Sequence, residues 1–202
     1  MIFRNISIII IIVYSVLFLV LPKTEYQPAD PGLKILQIRD FIRSGYSDFS
    51  AHYPAKNFDE EALFFPVRPP FAYRIANNAY YVFPFFATLL FTPFYKLGGI
   101  FLLNFFCLIS GLLIIFFVNK IAVVVGITDK FRKYLILFTA FGSGTGVYTF
   151  TFGEGIFATL LLTISVFLIL ISKKSQHSKI LFLISGLLAG FSVFFRIELA
   201  LF

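Results

Sequence analysis

The chain has 202 residues, of which 59% are hydrophobic and only 13% are charged, and its formal net charge is +7. About a quarter of the residues of an average soluble domain are charged, so this composition excludes an ordinary soluble fold. The positive charge does not indicate a nucleic-acid-binding protein either, because most of the excess lies in short segments between apolar stretches.

The placement of lysine and arginine is typical of a multi-pass membrane protein, since short cytoplasmic loops carry an excess of these residues. Asp129 is the one acidic residue among the connecting segments. The basic residues of these segments are Arg4, Lys120, Lys130, Arg132, Lys133, Lys173, Lys174 and Lys179. We therefore predict an integral protein of the bacterial inner membrane with a cytoplasmic N-terminus.

The first apolar stretch, Ile6 to Leu21, predicts a membrane span, with Arg4 before it on the cytoplasmic side. A cleaved signal peptide is the alternative interpretation. The stretch ends in Val20-Leu21-Pro22-Lys23, which lacks the small-residue pattern of a cleavage site. We therefore expect an uncleaved anchor.

A long polar segment follows, and it contains most of the acidic residues. Asp30-Pro31-Gly32 precedes LKILQIRDFIRSGYSDF, which predicts a helix with Asp30 as its N-cap and Pro31 in the first turn. We expect this helix to lie on the membrane surface and to end near Gly45. Four prolines between residues 51 and 70 predict irregular structure there.

The remaining apolar stretches are residues 82–97, 100–118, 134–150, 155–171 and 180–195. If residues 82–97 crossed the membrane, the basic clusters near residues 130 and 175 would lie opposite the side that the first span requires. If these residues form a proline-kinked helix at the outer interface, both clusters lie in the cytoplasm. The sequence thus predicts an all-α, multi-pass bundle of about five spans, a single membrane domain over residues 1–202. Its large extracytoplasmic loop, residues 22–99, carries surface helices.

Glycines punctuate two of these spans. Residues 142–146 read Gly-Ser-Gly-Thr-Gly. This pattern superficially resembles a phosphate loop but lacks the Gly-Lys-Ser/Thr ending. Close helix packing is the better interpretation. Gly186 and Gly190 have the spacing at which helices approach closely, and predict a packed face on the last span.

On this topology several polar residues meet at the outer face: Asp30, Glu154, Arg196 and Glu198. Each also has a purely structural interpretation. Asp30 could cap a helix, Glu154 could be an interfacial turn residue, and Arg196 could snorkel and pair with Glu198. No metal site is predicted, because the two histidines, His52 and His177, are expected on opposite sides of the membrane.

Three stretches together resemble the N-terminal part of the GT-C type membrane glycosyltransferases that use polyprenyl-phosphate sugars, a class that includes protein mannosyltransferases and aminoarabinose transferases. The stretches are Asp30 with LKILQIRDFIRSGYSDF, then YVFPFFATLLFTPFYKLGGIFLLNFFCLISGLL, then ISGLLAGFSVFFRIELALF. Phe71-Ala72-Tyr73-Arg74 is similar to an aromatic-arginine segment of some members.

The resemblance implies transfer of a sugar from a polyprenyl-phosphate donor to an acceptor hydroxyl at the outer membrane face. It implies Asp30 as general base, with Asp40 as the second candidate. Arg74 or Arg196 would pair with the donor phosphate. Glu154 and Glu198 would belong to the substrate-binding site. The expected partners are membrane lipid and the lipid-linked sugar, with no nucleic acid, and the resemblance leaves a divalent metal cofactor open.

The sequence also departs from that family. Pro31 stands where a second acidic residue is usual, and family members have about twice as many spans, so we expect a fragment of a longer chain. Two other functions stay open. The chain could be part of a lipid or solute transporter, with Glu154 and Arg196 along the path, or a non-catalytic membrane assembly protein.

Overall fold

The computed structural model describes residues 2–24, 29–61, 63–67, 69–173 and 176–196. The fold is mostly helical. The helices are α1 (Ile2–Val20), α2 (Ala29–Arg43), α3 (Phe85–Val125), α4 (Asp129–Leu137), a π-helical turn (Phe138–Gly142), α5 (Gly144–Tyr148), α6 (Glu154–Ser172) and α7 (Ser178–Val193). Two strands, β1 (Ala72–Ile75) and β2 (Asn78–Tyr81), form an antiparallel hairpin.

The chain divides into two compact units. The first, here called the helical unit, comprises Met1–Lys23 and Leu103–Phe202. The second, the polar unit, comprises Thr24–Leu102 and contains α2, the hairpin and the beginning of α3. The polar segment of the sequence thus folds around contacts of its own.

In the part of the chain that the structure describes, two helices, α3 and α6, are long and apolar enough to cross a membrane by length and composition. Shorter apolar helical stretches occur at Asn5–Val20 in α1 and at Ser178–Val193 in α7. Large apolar side chains of α1, among them Ile9, Leu19 and Val20, are exposed. Contiguous exposed apolar surface of this kind favours association with a membrane.

Helix α3 is interrupted at a pair of glycines. Gly98 has φ −146° and ψ 16°, and Gly99 has φ 57° and ψ −149°. A side chain at the second position would be strained, because residues with a Cβ rarely adopt this backbone conformation. The predicted outer-face helix and the following predicted span are therefore separate arms, residues 85–97 and 100–125. The first arm begins at Phe85, directly after Pro84.

The predicted span over residues 134–150 is not one continuous helix. After α4 and the π-helical turn, Ser143 is extended, with φ −116° and ψ 167°, and α5 begins at the next residue. The Ser143 hydroxyl accepts a hydrogen bond from the Thr145 amide at 3.2 Å. A Cβ at Gly146 would lie 2.2 Å from the Ala140 carbonyl oxygen, so only glycine permits this contact. The glycines thus serve close packing, but within the broken segment itself.

In the polar unit, α2 is followed by a loop that joins the hairpin. The Ala51 amide donates to the Ala79 carbonyl at 2.7 Å, and Ala72 pairs with Tyr81 in the hairpin register. These three alanines, Phe65 and Tyr81 form a buried apolar cluster in the unit. The hairpin is an addition to the predicted all-α class: its strands are only four residues long, too short for a clear alternating pattern.

In the helical unit, α1 packs through Ile10, Tyr14 and Phe18 against residues of α3, α4 and the π-helical turn. The buried Tyr14 hydroxyl donates to the Ala140 carbonyl at 2.7 Å. Widening a helix into a π-helical turn interrupts its regular hydrogen-bond ladder. This tyrosine therefore gives one carbonyl of the broken segment a partner.

Helices α6 and α7 form an antiparallel pair. The hydroxyls of Ser165 and Ser185 lie 2.9 Å apart, and that of Ser185 also lies 2.9 Å from the Ser165 carbonyl, to which it can donate. A Cβ at Gly186 or Gly190 would meet no described atom within 4 Å. The predicted packed face at these glycines is therefore wrong for the described part of the chain. Small serines, rather than glycines, permit the close approach of the two helices.

Candidate functional site

Asp40 is the most enclosed of the predicted catalytic residues. It lies near the end of α2 with 6% of its surface exposed. Its Oδ2 accepts hydrogen bonds from the His52 amide at 2.9 Å and from the Tyr81 hydroxyl at 3.3 Å. The Arg43 guanidinium lies 3.8 Å from Oδ1. The carboxylate thus joins α2 to the following loop and to the hairpin.

Burial raises the pKa of the Asp40 carboxyl above its ordinary value, although the His52 and Tyr81 hydrogen bonds and the Arg43 charge act in the opposite direction. Burial next to this carboxylate also raises the pKa of Tyr81. Desolvation disfavours a charged side chain, so it increases the affinity of the carboxylate for a proton. Its enclosure and its hydrogen bonds suit Asp40 to holding the elements of the polar unit together.

Asp30 lies at the other end of α2. The helix begins at Ala29, so Asp30 is in its first turn rather than at the predicted N-cap position. A carboxylate in a first turn interacts favourably with the positive end of the helix dipole. The Asp30 side chain is partly exposed. Ten helical residues separate Asp30 from Asp40, about 15 Å along the axis. The two carboxylates therefore cannot act together on one reacting group.

Arg74 is exposed on β1, opposite Ala79 in the hairpin. Its guanidinium donates to the Glu61 carbonyl at 2.6 Å. Arg74 also lines a cleft of about 320 Å³ with Leu63, Phe65 and other residues of the loop before the hairpin. Among the described residues this is the one hydrogen bond that Arg74 donates, so several of its five guanidinium N–H groups are left for a ligand. The arginine could thus hold an anionic group in this cleft.

A second cleft of the polar unit, of about 370 Å³, has polar walls that the sequence did not single out. It is lined by Ser50, His52, Tyr53, Lys56, Asn57, Asn77 and Asn78, among others. The Lys56 ammonium donates to the Asn78 side-chain oxygen at 2.6 Å. Amides, two hydroxyls and an ammonium offer the donors and acceptors that a hydroxyl-rich ligand needs. The lining residues come from two separate segments, residues 50–57 and 77–79, which only the fold brings together. No local motif could therefore have indicated the cleft.

In the helical unit, the structure brings Arg196 to the beginning of α6. A Cβ at Gly155 would lie 3.3 Å from the Arg196 Nη1, so the guanidinium packs against this glycine. Glu154 precedes the glycine in the first turn of α6 and is 4% exposed. It is thus buried at the beginning of a helix. The buried Cys107 thiol lies within hydrogen-bonding reach of the Gly153 backbone beside it.

Glu198, the remaining predicted residue, lies outside the described residues. Asp30, Asp40 and Arg74 belong to the polar unit, and Glu154 and Arg196 belong to the helical unit. Among the described residues, no group of three or more His, Cys, Asp or Glu side chains is arranged to hold a metal ion. Comparison with protein-family models, with curated protein sequences and with solved structures found no match for this chain.

Proposed function

We propose that this protein is a membrane glycosyltransferase of the GT-C type, which moves a sugar from a polyprenyl-phosphate donor to an acceptor hydroxyl at the outer face of the membrane. The observation that carries the proposal is the contrast along α2. Asp30 is partly exposed in the first turn, whereas Asp40 is enclosed by hydrogen bonds. The sequence resemblance implies that Asp30 is the acidic residue of the site.

Asp30 would act as general base and take the proton of the acceptor hydroxyl as the sugar leaves its phosphate. The polar cleft of Lys56 and Asn78, in the same unit, supports binding of a hydroxyl-rich acceptor. Arg74, also in the polar unit, would pair with the donor phosphate, because a guanidinium matches phosphate geometry.

The proposed topology has about five spans: α1, the second arm of α3, the broken segment over residues 134–150, α6 and α7. The N-terminus and the basic connecting segments would lie in the cytoplasm. The polar unit would then lie on the outer side, where a membrane-bound donor can be reached. Two long apolar helices and the exposed apolar surface of α1 support an integral membrane protein.

The experiment is sugar transfer from polyprenyl-phosphate donors in membranes that contain the full chain, with Asp30→Asn as the test variant. Asparagine keeps the shape of aspartate but cannot take a proton. The variant should insert in normal amount and lose transfer activity by roughly 10²- to 10⁴-fold, the usual contribution of a general base. Asp129→Asn, which removes an exposed carboxylate of the helical unit, is the matched control and should retain activity.

Normal transfer by Asp30→Asn would remove Asp30 as the base. Absence of transfer by the unmutated chain, with every polyprenyl-phosphate donor tried, would refute the enzymatic proposal. A transporter is the second candidate, and the break between the π-helical turn and α5 supports it, because transporters bind substrates at discontinuous helices. Solute uptake into proteoliposomes would then be the deciding measurement.

A further inference from the structure

The helical unit contains an apolar cleft of about 510 Å³ between α1, the second arm of α3 and α4. Ile8 and Ile11 of α1 form one wall, and Leu112 and Ile115 of α3 form the other, with Ile136 of α4 also lining the cleft. This volume is within the range of small-molecule sites. The walls carry only aliphatic side chains at these positions, so they suit a hydrocarbon chain.

The cleft has a polar end. Near the end of α1, Phe18 packs against Phe105 of α3, with ring centroids 6.1 Å apart. Near the beginning of α1, the cleft is lined by residues that come later in α3. The two helices are therefore antiparallel, and Ser7 lies at the same end of the cleft as Asn119 and Lys120. These three residues provide a hydroxyl, an amide and an ammonium group.

The ammonium group is held at this end. The Lys120 Nζ lies 5.3 Å from the centroid of the Phe116 ring, which itself lines the cleft. A cation over an aromatic face is attracted to it and stays near the ring. Beside it, the buried Asn119 Oδ1 has no hydrogen-bond partner among the described residues. An apolar cleft that ends in a cation matches the polarity of an anionic amphiphile, and the Asn119 oxygen could accept a hydrogen bond from a hydroxyl of its headgroup.

We propose that this cleft binds one acyl chain of an anionic phospholipid, with the phosphate of the headgroup against Lys120. The inference does not depend on the glycosyltransferase proposal, because none of the catalytic or donor-binding candidates lines the cleft. Charge selects the lipid over a second copy of the chain. A symmetric contact at this cleft would bring two Lys120 ammonium groups together, in a chain of net charge +7.

The test uses the full chain purified in mild detergent and titrated with phosphatidylglycerol or phosphatidylcholine of identical acyl chains, with bound lipid counted by native mass spectrometry. The unmutated protein should retain phosphatidylglycerol in preference to phosphatidylcholine. Lys120→Gln should reduce this preference about fivefold, the effect of one lysine worth about 1 kcal/mol near a lipid headgroup. Lys120→Arg should retain it. Lys179→Gln, which removes an exposed charge of α7 away from the cleft, is the control and should change nothing.

The cleft itself is tested with Ile11→Trp. The indole ring should fill the apolar space and reduce the binding of both lipids, while the exposed position of Ile11 leaves folding intact. Inorganic phosphate should not displace the bound lipid, since the acyl chain supplies much of the affinity. Equal retention of both lipids by the unmutated protein would overturn the proposal. So would an unchanged preference in Lys120→Gln, or a dimer that Ile11→Trp dissociates.

Discussion

Replacement of Asp40 by alanine should open the polar unit locally. The substitution removes the acceptor of the His52 amide and of the buried Tyr81 hydroxyl. A buried donor left without a partner costs about 1–3 kcal/mol. The contact with the half-exposed Arg43 adds little, because exposed ion pairs are worth about 0–1 kcal/mol. Part of the loss is offset, since a buried carboxylate no longer needs to be desolvated. We expect a net loss of about 2–3 kcal/mol.

Hydrogen–deuterium exchange of the full chain in detergent measures this loss. The Ala51 amide, which donates to Ala79, and the amides of the hairpin report opening of the unit. A loss of about 2–3 kcal/mol corresponds to exchange that is roughly 30- to 150-fold faster. Asp40→Asn keeps an acceptor for the His52 amide. It should change the free energy of this opening by less than about 1 kcal/mol. Unchanged exchange in Asp40→Ala would refute the view that this carboxylate joins α2 to the hairpin.

The same residue predicts a pH dependence. The ordinary pKa of an aspartate is 3.8, and burial raises that of Asp40 in the folded unit. The folded unit therefore binds the Asp40 proton more tightly than the unfolded chain does. Below pH 3.8 the carboxyl is protonated in both the folded unit and the unfolded chain, so burying it carries no cost of desolvating a charge. Stability then falls as the pH rises through the raised folded value. This fall should be absent in Asp40→Asn, and an identical pH profile for both proteins would contradict the assignment.

Two further predictions concern the helical unit and the topology. Gly146→Ala should greatly reduce the amount of folded protein in detergent, because its Cβ would overlap the Ala140 carbonyl. Gly190→Ala and Gly190→Leu should both be tolerated, because a Cβ at Gly190 meets no described atom within 4 Å. A severe effect of Gly190→Leu alone would indicate a helix packed on that face. A cysteine at the exposed Asn57 should react with an impermeant thiol reagent in intact cells, while one at the exposed Asp129 should be protected. Labelling at Asp129 but not at Asn57 would invert the proposed topology.

Much of the secondary structure could be predicted from composition and spacing. The apolar stretches at residues 155–171 and 180–195 correspond closely to α6 and α7. The helix after Asp30 begins within one residue of the predicted position and ends before Gly45. The break of α3 follows from Gly98-Gly99, because glycine adopts backbone conformations that other residues avoid. In each case the signal is local, and it lies in the residues that form the element.

The tertiary structure decided what depends on neighbours distant in sequence. Ala72, Ala79 and Tyr81 of the hairpin are buried together with Ala51 and Phe65 of the preceding loop. The sequence of a four-residue strand does not reveal such distant partners. The broken segment after α4 receives a hydrogen bond at its Ala140 carbonyl from Tyr14, a residue of α1 that is distant in the sequence. Likewise, Asp30 and Asp40 are equally acidic in the sequence. Only packing of the hairpin against α2 encloses one and leaves the other partly exposed, because burial is a property of the surrounding residues rather than of the residue itself.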